Sequence, residues 1–181
     1  MHGSRKNIMI KNWFLVVLII GLALGAQPVM AGSTVTDVEI IDFGVLSAQL
    51  DRTIEDQTLV QGAHHTMKSS RILKSTTDIS AKKGLKFGIR YIIKGFPIGS
   101  PVKISFVVLY PEPGLTNPGT GKTELQGMVT MVKKIGKITA TGYLFNQDWE
   151  MVPGQWTFQI WHDGRKLAEK SFSVNASSPP G

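Results

Sequence analysis

The feature that most narrows what this chain can fold into is an alternation of apolar and polar residues with a period of two. Leu85, Phe87, Ile89, Tyr91 and Ile93 fall on one side of an extended backbone, and Lys86, Gly88, Arg90 and Lys94 fall on the other. After a turn from Gly95 to Pro101 the pattern returns in Val102, Ile104, Phe106, Val108 and Tyr110. No stretch shows the spacing of a long amphipathic helix. Further strands are expected over Val35 to Leu46, Met67 to Ile79, Gln126 to Lys133, Lys137 to Phe145, Gln155 to His162 and Lys166 to Val174. Asp163-Gly164 joins two alternating runs with residues that accept positive φ, the requirement of a tight hairpin, and Lys134-Ile135-Gly136 reads as a looser version. Many short strands with frequent turns predict an all-β fold, an antiparallel sandwich of about seven to nine strands.

The N-terminus differs from this body. Arg5, Lys6 and Lys11 precede an apolar run from Trp13 to Gly25, and Val29-Met30-Ala31 places small residues where signal peptidase cuts. The run is shorter than the ~20 residues of a bilayer span. Residues 1–31 are therefore expected to be a cleaved signal peptide, with retention as an anchor the alternative. Residues 32–176 are expected to form one domain, and 177–181 a flexible tail. Cleavage leaves 17 basic against 13 acidic residues, a net charge of +4. Cysteine is absent, which excludes disulfides, thiolate metal sites, a cysteine nucleophile and a lipidated cysteine. The expected location is the periplasm or the exterior, with no integral membrane segment after processing.

Charge is unevenly distributed. Residues 32–56 carry six acids against Arg52 alone, whereas residues 57–103 carry nine bases against Asp78 alone. Such a segment can meet a polyanion, but its bases alternate with apolar residues as on the solvated face of a sheet, and export argues against nucleic acid.

Several segments invite a chemical reading. Asn117-Pro118-Gly119-Thr120-Gly121-Lys122-Thr123 looks like a phosphate loop, but Thr116 stands where that motif needs glycine and β-branched residues follow where it needs a helix. A Pro/Gly surface loop is the better reading, with no ATP. His64-His65-Thr66-Met67, joined by His162, has ligands suited to copper, yet adjacent histidines diverge on an extended chain. No metal or other cofactor is expected. Asp148 and Glu150 share a side if their segment is extended, as a glycosidase pair would require. Pro153-Gly154 close behind points instead to a turn between strands. Neither Gly-x-Ser-x-Gly nor His-Glu-x-x-His occurs. Along the Gln155 strand, Trp156, Phe158 and Ile160 take the core side, which leaves Trp161 on the outer side, where an indole can stack on a sugar or anchor a partner.

At Phe87-Gly88-Ile89-Arg90-Tyr91, Tyr110-Pro111-Glu112-Pro113-Gly114-Leu115 and Trp149-Glu150-Met151-Val152-Pro153-Gly154-Gln155-Trp156 the chain resembles a family of short exported bacterial proteins, domain of unknown function 3859. The run from Trp156 to Phe172 also resembles the final hairpin of bacterial immunoglobulin-like domains. The resemblance implies an immunoglobulin-like β-sandwich and carries over no catalytic residue. The expected function is a non-catalytic interaction module of the bacterial cell envelope that binds a protein or another envelope component. The positions expected to make contact are Trp161, Trp149, Tyr143 and Glu112, together with the loop from Pro111 to Thr123. The alternative is a glycan-binding module in which Trp161 stacks with Tyr143 or Trp149. A hydrolase built on Asp148 and Glu150 is a third class.

Overall fold

Nearly every alternating run folds as a strand. The computed structural model describes residues 32–176, so the expected signal peptide and tail lie outside the described residues. The strands are β1 (Thr34–Glu55), β2 (Ala63–Ser75), β3 (Asp78–Ser80), β4 (Lys86–Phe96), β5 (Pro101–Leu109), β6 (Leu115–Thr116), β7 (Thr123–Glu124), β8 (Gln126–Lys134), β9 (Ile138–Leu144), β10 (Gly154–His162) and β11 (Arg165–Asn175). One 3-10 turn covers Asp148–Glu150. A four-stranded sheet has the order β2-β1-β4-β9, a five-stranded sheet the order β3-β11-β10-β5-β8, and β6-β7 is a separate small hairpin. All pairs are antiparallel except β3 with β11.

The fold is all-β and related to immunoglobulin-like sandwiches, but its partial and open sheets hold eleven strands among the described residues, not seven to nine. The additional strands, β3, β6 and β7, are two or three residues long, too short to display a period. Two other expectations change. Met67 to Ile79 is not one strand, because Thr76 Oγ1 accepts a hydrogen bond from the Asp78 amide at 3.0 Å and turns the chain between β2 and β3. Lys134-Ile135-Gly136 does not close a hairpin within a sheet. It crosses from the five-stranded to the four-stranded sheet, with Ile135 1% exposed and the Gly136 amide donating to Ile93 O at 2.9 Å. Asp163-Gly164 behaves as expected: φ is 47° and 74° at the two positions, and His162 pairs with Arg165 across a two-residue turn.

The core forms where the inward sides of the two sheets meet. Phe87 on β4 reaches Trp156, Phe158 and Phe172 of the opposing sheet at ring-centre distances of 5.9, 5.2 and 5.3 Å. Edge-on and offset contacts of this kind add to the hydrophobic gain of burying each ring. The polar sides of β1 and β4 join the acid-rich and base-rich stretches: Arg90 pairs with Asp42 at 2.8 Å and Lys94 with Glu39 at 2.6 Å. Part of the apparent polycation is thus neutralised by the strand beside it.

Strand β1 continues nine residues past the Leu46 boundary expected from the sequence and ends at Glu55. Beyond Val45, where its pairing with β4 stops, it pairs with β2 alone and forms a two-stranded arm. Gly44, at φ 136°, begins this departure: a Cβ there would lie 2.0 Å from Lys74 O. Gly88 and Gly142 face each other across β4 and β9, and a Cβ on Gly88 would meet Thr141 O at 2.2 Å and Leu46 Cδ1 at 2.9 Å. The paired glycines make a notch in which Leu46, the first arm residue, is seated.

Candidate functional site

The arm reaches from the four-stranded sheet to β8, an end strand of the five-stranded one, where Leu59 lies beside Gly127. At its tip Asp56 Oδ1 accepts hydrogen bonds from the Thr58 hydroxyl and amide, which hold the Asp56 carboxyl below the ordinary carboxylate range. The tip then docks on the β6–β7 hairpin. The Val60 amide donates to Glu124 Oε2 at 3.0 Å, Asn117 Nδ2 donates to Val60 O at 2.8 Å, and Lys122 Nζ donates to Thr58 O at 3.0 Å. Lys122 and Glu124 also pair with each other at 2.6 Å. Leu59 and Val60 are buried beneath this latch. The segment that looks like a phosphate loop is therefore the catch for the arm, and strand β8 follows it in place of a helix.

Lower on the arm, His65 is bonded on both ring nitrogens. Nδ1 lies 3.0 Å from Thr53 Oγ1, and Nε2 lies 2.8 Å from Asn146 Nδ2. An amide nitrogen can only donate, so Nε2 accepts and Nδ1 carries the proton, which defines a neutral imidazole. Burial and the nearby Lys86 ammonium lower the His65 pKa, in agreement with that tautomer.

Between the arm, β8 and β9 lies a cleft with an accessible volume of about 110 Å³. Its apolar walls include Leu59, Phe106, Val108, Val129 and Met131, and its polar wall includes Lys86, Lys133 and Glu150. Lys86 is 7% exposed. Desolvation lowers the pKa of both lysines, and among the described residues neither belongs to an ion pair. Glu150 is buried, and its Oε2 accepts from the amides of Asn146 at 2.6 Å and Gln147 at 3.3 Å. Burial nevertheless raises its pKa. Three residues of the cleft also carry buried polar atoms without a hydrogen-bond partner: Gln61 Oε1, His64 Nδ1 and Tyr143 Oη. Leaving such an atom unpaired costs roughly 1–3 kcal/mol.

The positions singled out from the sequence are dispersed. Trp161 is on the outer side of β10 as expected, but it is half-buried and its Nε1 donates to Gln159 Oε1 at 2.8 Å. Trp149 is half-buried against the core, and Tyr143 is 6% exposed with its ring 4.8 Å from Trp156. These three side chains form no common solvent-facing platform, because alternation along β9 turns Tyr143 inward. Glu112 is exposed in the turn between β5 and β6. Asp148 and Glu150 do not share an extended side: the 3-10 turn leaves Asp148 exposed, 3.9 Å from Lys83, and buries Glu150. His162 is bonded to Lys103 O at 2.8 Å. Among the described residues no group of three or more His, Cys, Asp or Glu is placed to hold a metal ion. Sequence reasoning missed Lys86 and Lys133 as site residues. Lys86 fits the polar side of an ordinary alternating strand and Lys133 interrupts the inward side of β8, so neither position stands out as a site residue.

The run from Trp149 to Trp156 has a structural explanation. Glu150 caps the preceding turn, and Trp156 donates its Nε1 to Val152 O at 2.9 Å. Gly154, at φ 133°, allows Pro111 to approach within 2.6 Å of where a Cβ would stand. The model of the family described as domain of unknown function DUF3859 matches residues 34–174, the whole of this strand framework. The chain belongs to the DUF3859 family. Among solved structures, an immunoglobulin-like protein from Pseudomonas aeruginosa is similar to it, with 26% identity and a TM-score of 0.54 over 77% of this chain and 98% of the other. No curated protein matches the sequence. Among the described residues no helix is long and apolar enough to cross a membrane.

Proposed function

We propose that this DUF3859 protein is a non-catalytic, exported binding module of the bacterial cell envelope, and that its ligand occupies the cleft beneath the β1–β2 arm. The observation that carries the reading is the arm itself. A pair of strands leaves its sheet, crosses a glycine notch and is latched by three hydrogen bonds over a cleft whose wall contains Lys86, a mostly buried lysine in no ion pair among the described residues. A cleft closed by a local element, with an apolar wall on β5 and β8 and polar groups from the arm and β9, can hold a small molecule. The export signal read at the N-terminus and the likeness to an immunoglobulin-like protein support a binding role in the envelope. Asp148 and Glu150 are too differently placed to act as a hydrolytic pair, which favours binding over catalysis. Tyr143 enters this reading as a wall of the cleft, whereas Trp161 and Glu112 belong to the outer surface and suit contact with a protein.

The test is to purify the protein from its own envelope fraction and analyse extracted small molecules by mass spectrometry, beside a Val129→Trp variant that fills the cleft. A compound that accompanies the wild type and is absent from the folded variant supports the reading. Equal recovery from both, or none from either, overturns it.

A further inference from the structure

We infer that the cleft is built for a small amphiphilic carboxylate, with a negatively charged head at Lys86 and an apolar body, the size of a short acyl chain or a single ring, along β8. The inference rests on the binding reading above and specifies its ligand.

The argument begins with what the wall lacks. A lysine as buried as Lys86 is normally ion-paired, because partly withdrawing its charge from water is costly, yet Lys86 has no acidic partner among the described residues. Glu150, the carboxylate on the same wall, already has Oε2 engaged by two backbone amides. Lys133 adds a second cation farther along β8, so the cleft has an excess of positive charge. Apart from Lys133, the lining contributed by β5 and β8 is apolar. Gly127, Val129, Met131 and Lys133 alternate on the inner side of β8, a span of roughly 20 Å at about 3.4 Å per residue. Lys86 pairs with Leu144 at the far end of β9, close to the arm. The shape is thus a trough with a cation toward each end and an apolar wall between. A single negative charge suits isolated lysines, whereas a phosphate dianion calls for more donors or a forked arginine. Gln61 and His64 on the arm present one unpartnered polar atom each, which suits a ligand with a further polar substituent.

The experiment titrates the purified protein with octanoate, 1-octanol and octylammonium and follows backbone amide shifts of Gly127 and Gly142. The expected result is that octanoate moves both amides and binds about tenfold or more tightly than the alcohol. Lys86→Met should abolish that advantage while alcohol binding persists, and Lys133→Met provides a second test should the first variant not fold. Equal binding of octanoate and octanol, or tighter binding of octylammonium, overturns the carboxylate inference but leaves the cleft as a binding site. Failure of all three probes to move either amide in a folded protein overturns both.

Discussion

Lys86 and Glu150 show how a single side chain can be costly to the fold and still have a reason to be there. Burial lowers the Lys86 pKa, so its protonated form is penalised in the folded chain relative to the unfolded one. That penalty is full at neutral pH and is relieved as pH rises through the lowered folded-state value toward that of the free side chain. Lys86→Met is therefore expected to raise the melting temperature at pH 7 and to reduce the gain in stability that the wild type shows on approach to pH 10, as thermal melts will reveal. A lower melting temperature in a folded variant would mean that the ammonium has a stabilising partner after all. Glu150 has the opposite sign. Its raised pKa means that its contribution is most favourable below the ordinary glutamate value and is lost as pH increases through the raised one. Glu150→Gln should flatten the pH dependence of stability above the ordinary glutamate range, and an unchanged profile would assign that slope to other groups.

At the scale of elements, the arm is held at its base by Leu46 against Gly88, along its length by His65 with Asn146, and at its tip by the latch. Asn117→Ala removes one hydrogen bond to Val60 O, a loss of about 0.5–1.5 kcal/mol. Because the arm lies outside the aromatic core, the effect should be local opening. Hydrogen exchange at residues 59–66 should accelerate while exchange in β10 remains unchanged, and uniform acceleration would show that arm and core open together. The core strands were legible because Phe87 to Ile93 and Val102 to Tyr110 turn their largest apolar side chains to one side, which is what an alternating pattern records. The arm was not legible. Ser47 to Glu55 contacts β2 on one edge and solvent over much of its surface, so no apolar period marks it. Asp148 and Glu150 share a side only on an extended chain; Pro153-Gly154 points to a turn there, and the segment does turn, with the Asn146 amide donating to Glu150 Oε2. The unusual glycines, Gly88 and Gly142, were visible in the sequence, but their meaning depends on facing each other across two strands far apart in the chain.

At the scale of the whole molecule, stability is concentrated in the aromatic cluster that joins the two large sheets. Phe87 is fully buried and touches rings on both sides of the interface, so Phe87→Ala should cost about 3–5 kcal/mol. For a chain of this size each kcal/mol corresponds to roughly 2–4 °C, so the melting temperature should fall by about 6–20 °C. Denaturant unfolding is the direct check, and a loss below about 1 kcal/mol would show that the cluster repacks around the gap. The charge distribution belongs to the same scale. The acidic and basic halves of the N-terminal region meet across β1 and β4, so a composition that looks polarised along the chain is more evenly balanced on the folded surface.

The latch grips the arm at Thr58 O, Val60 N and Val60 O, all main-chain atoms, while the side chains that do the gripping belong to Asn117, Lys122 and Glu124. These three bonds do not depend on the side chains of Thr58 and Val60, although Asp56 still shapes the turn and Leu59 and Val60 are still buried under it. On the binding reading proposed above, exchanging Gln61 and His64 over the same lysines would alter the roof of the cleft and leave the three main-chain bonds of the catch in place. The arrangement separates the part that must stay fixed from the part that is free to evolve.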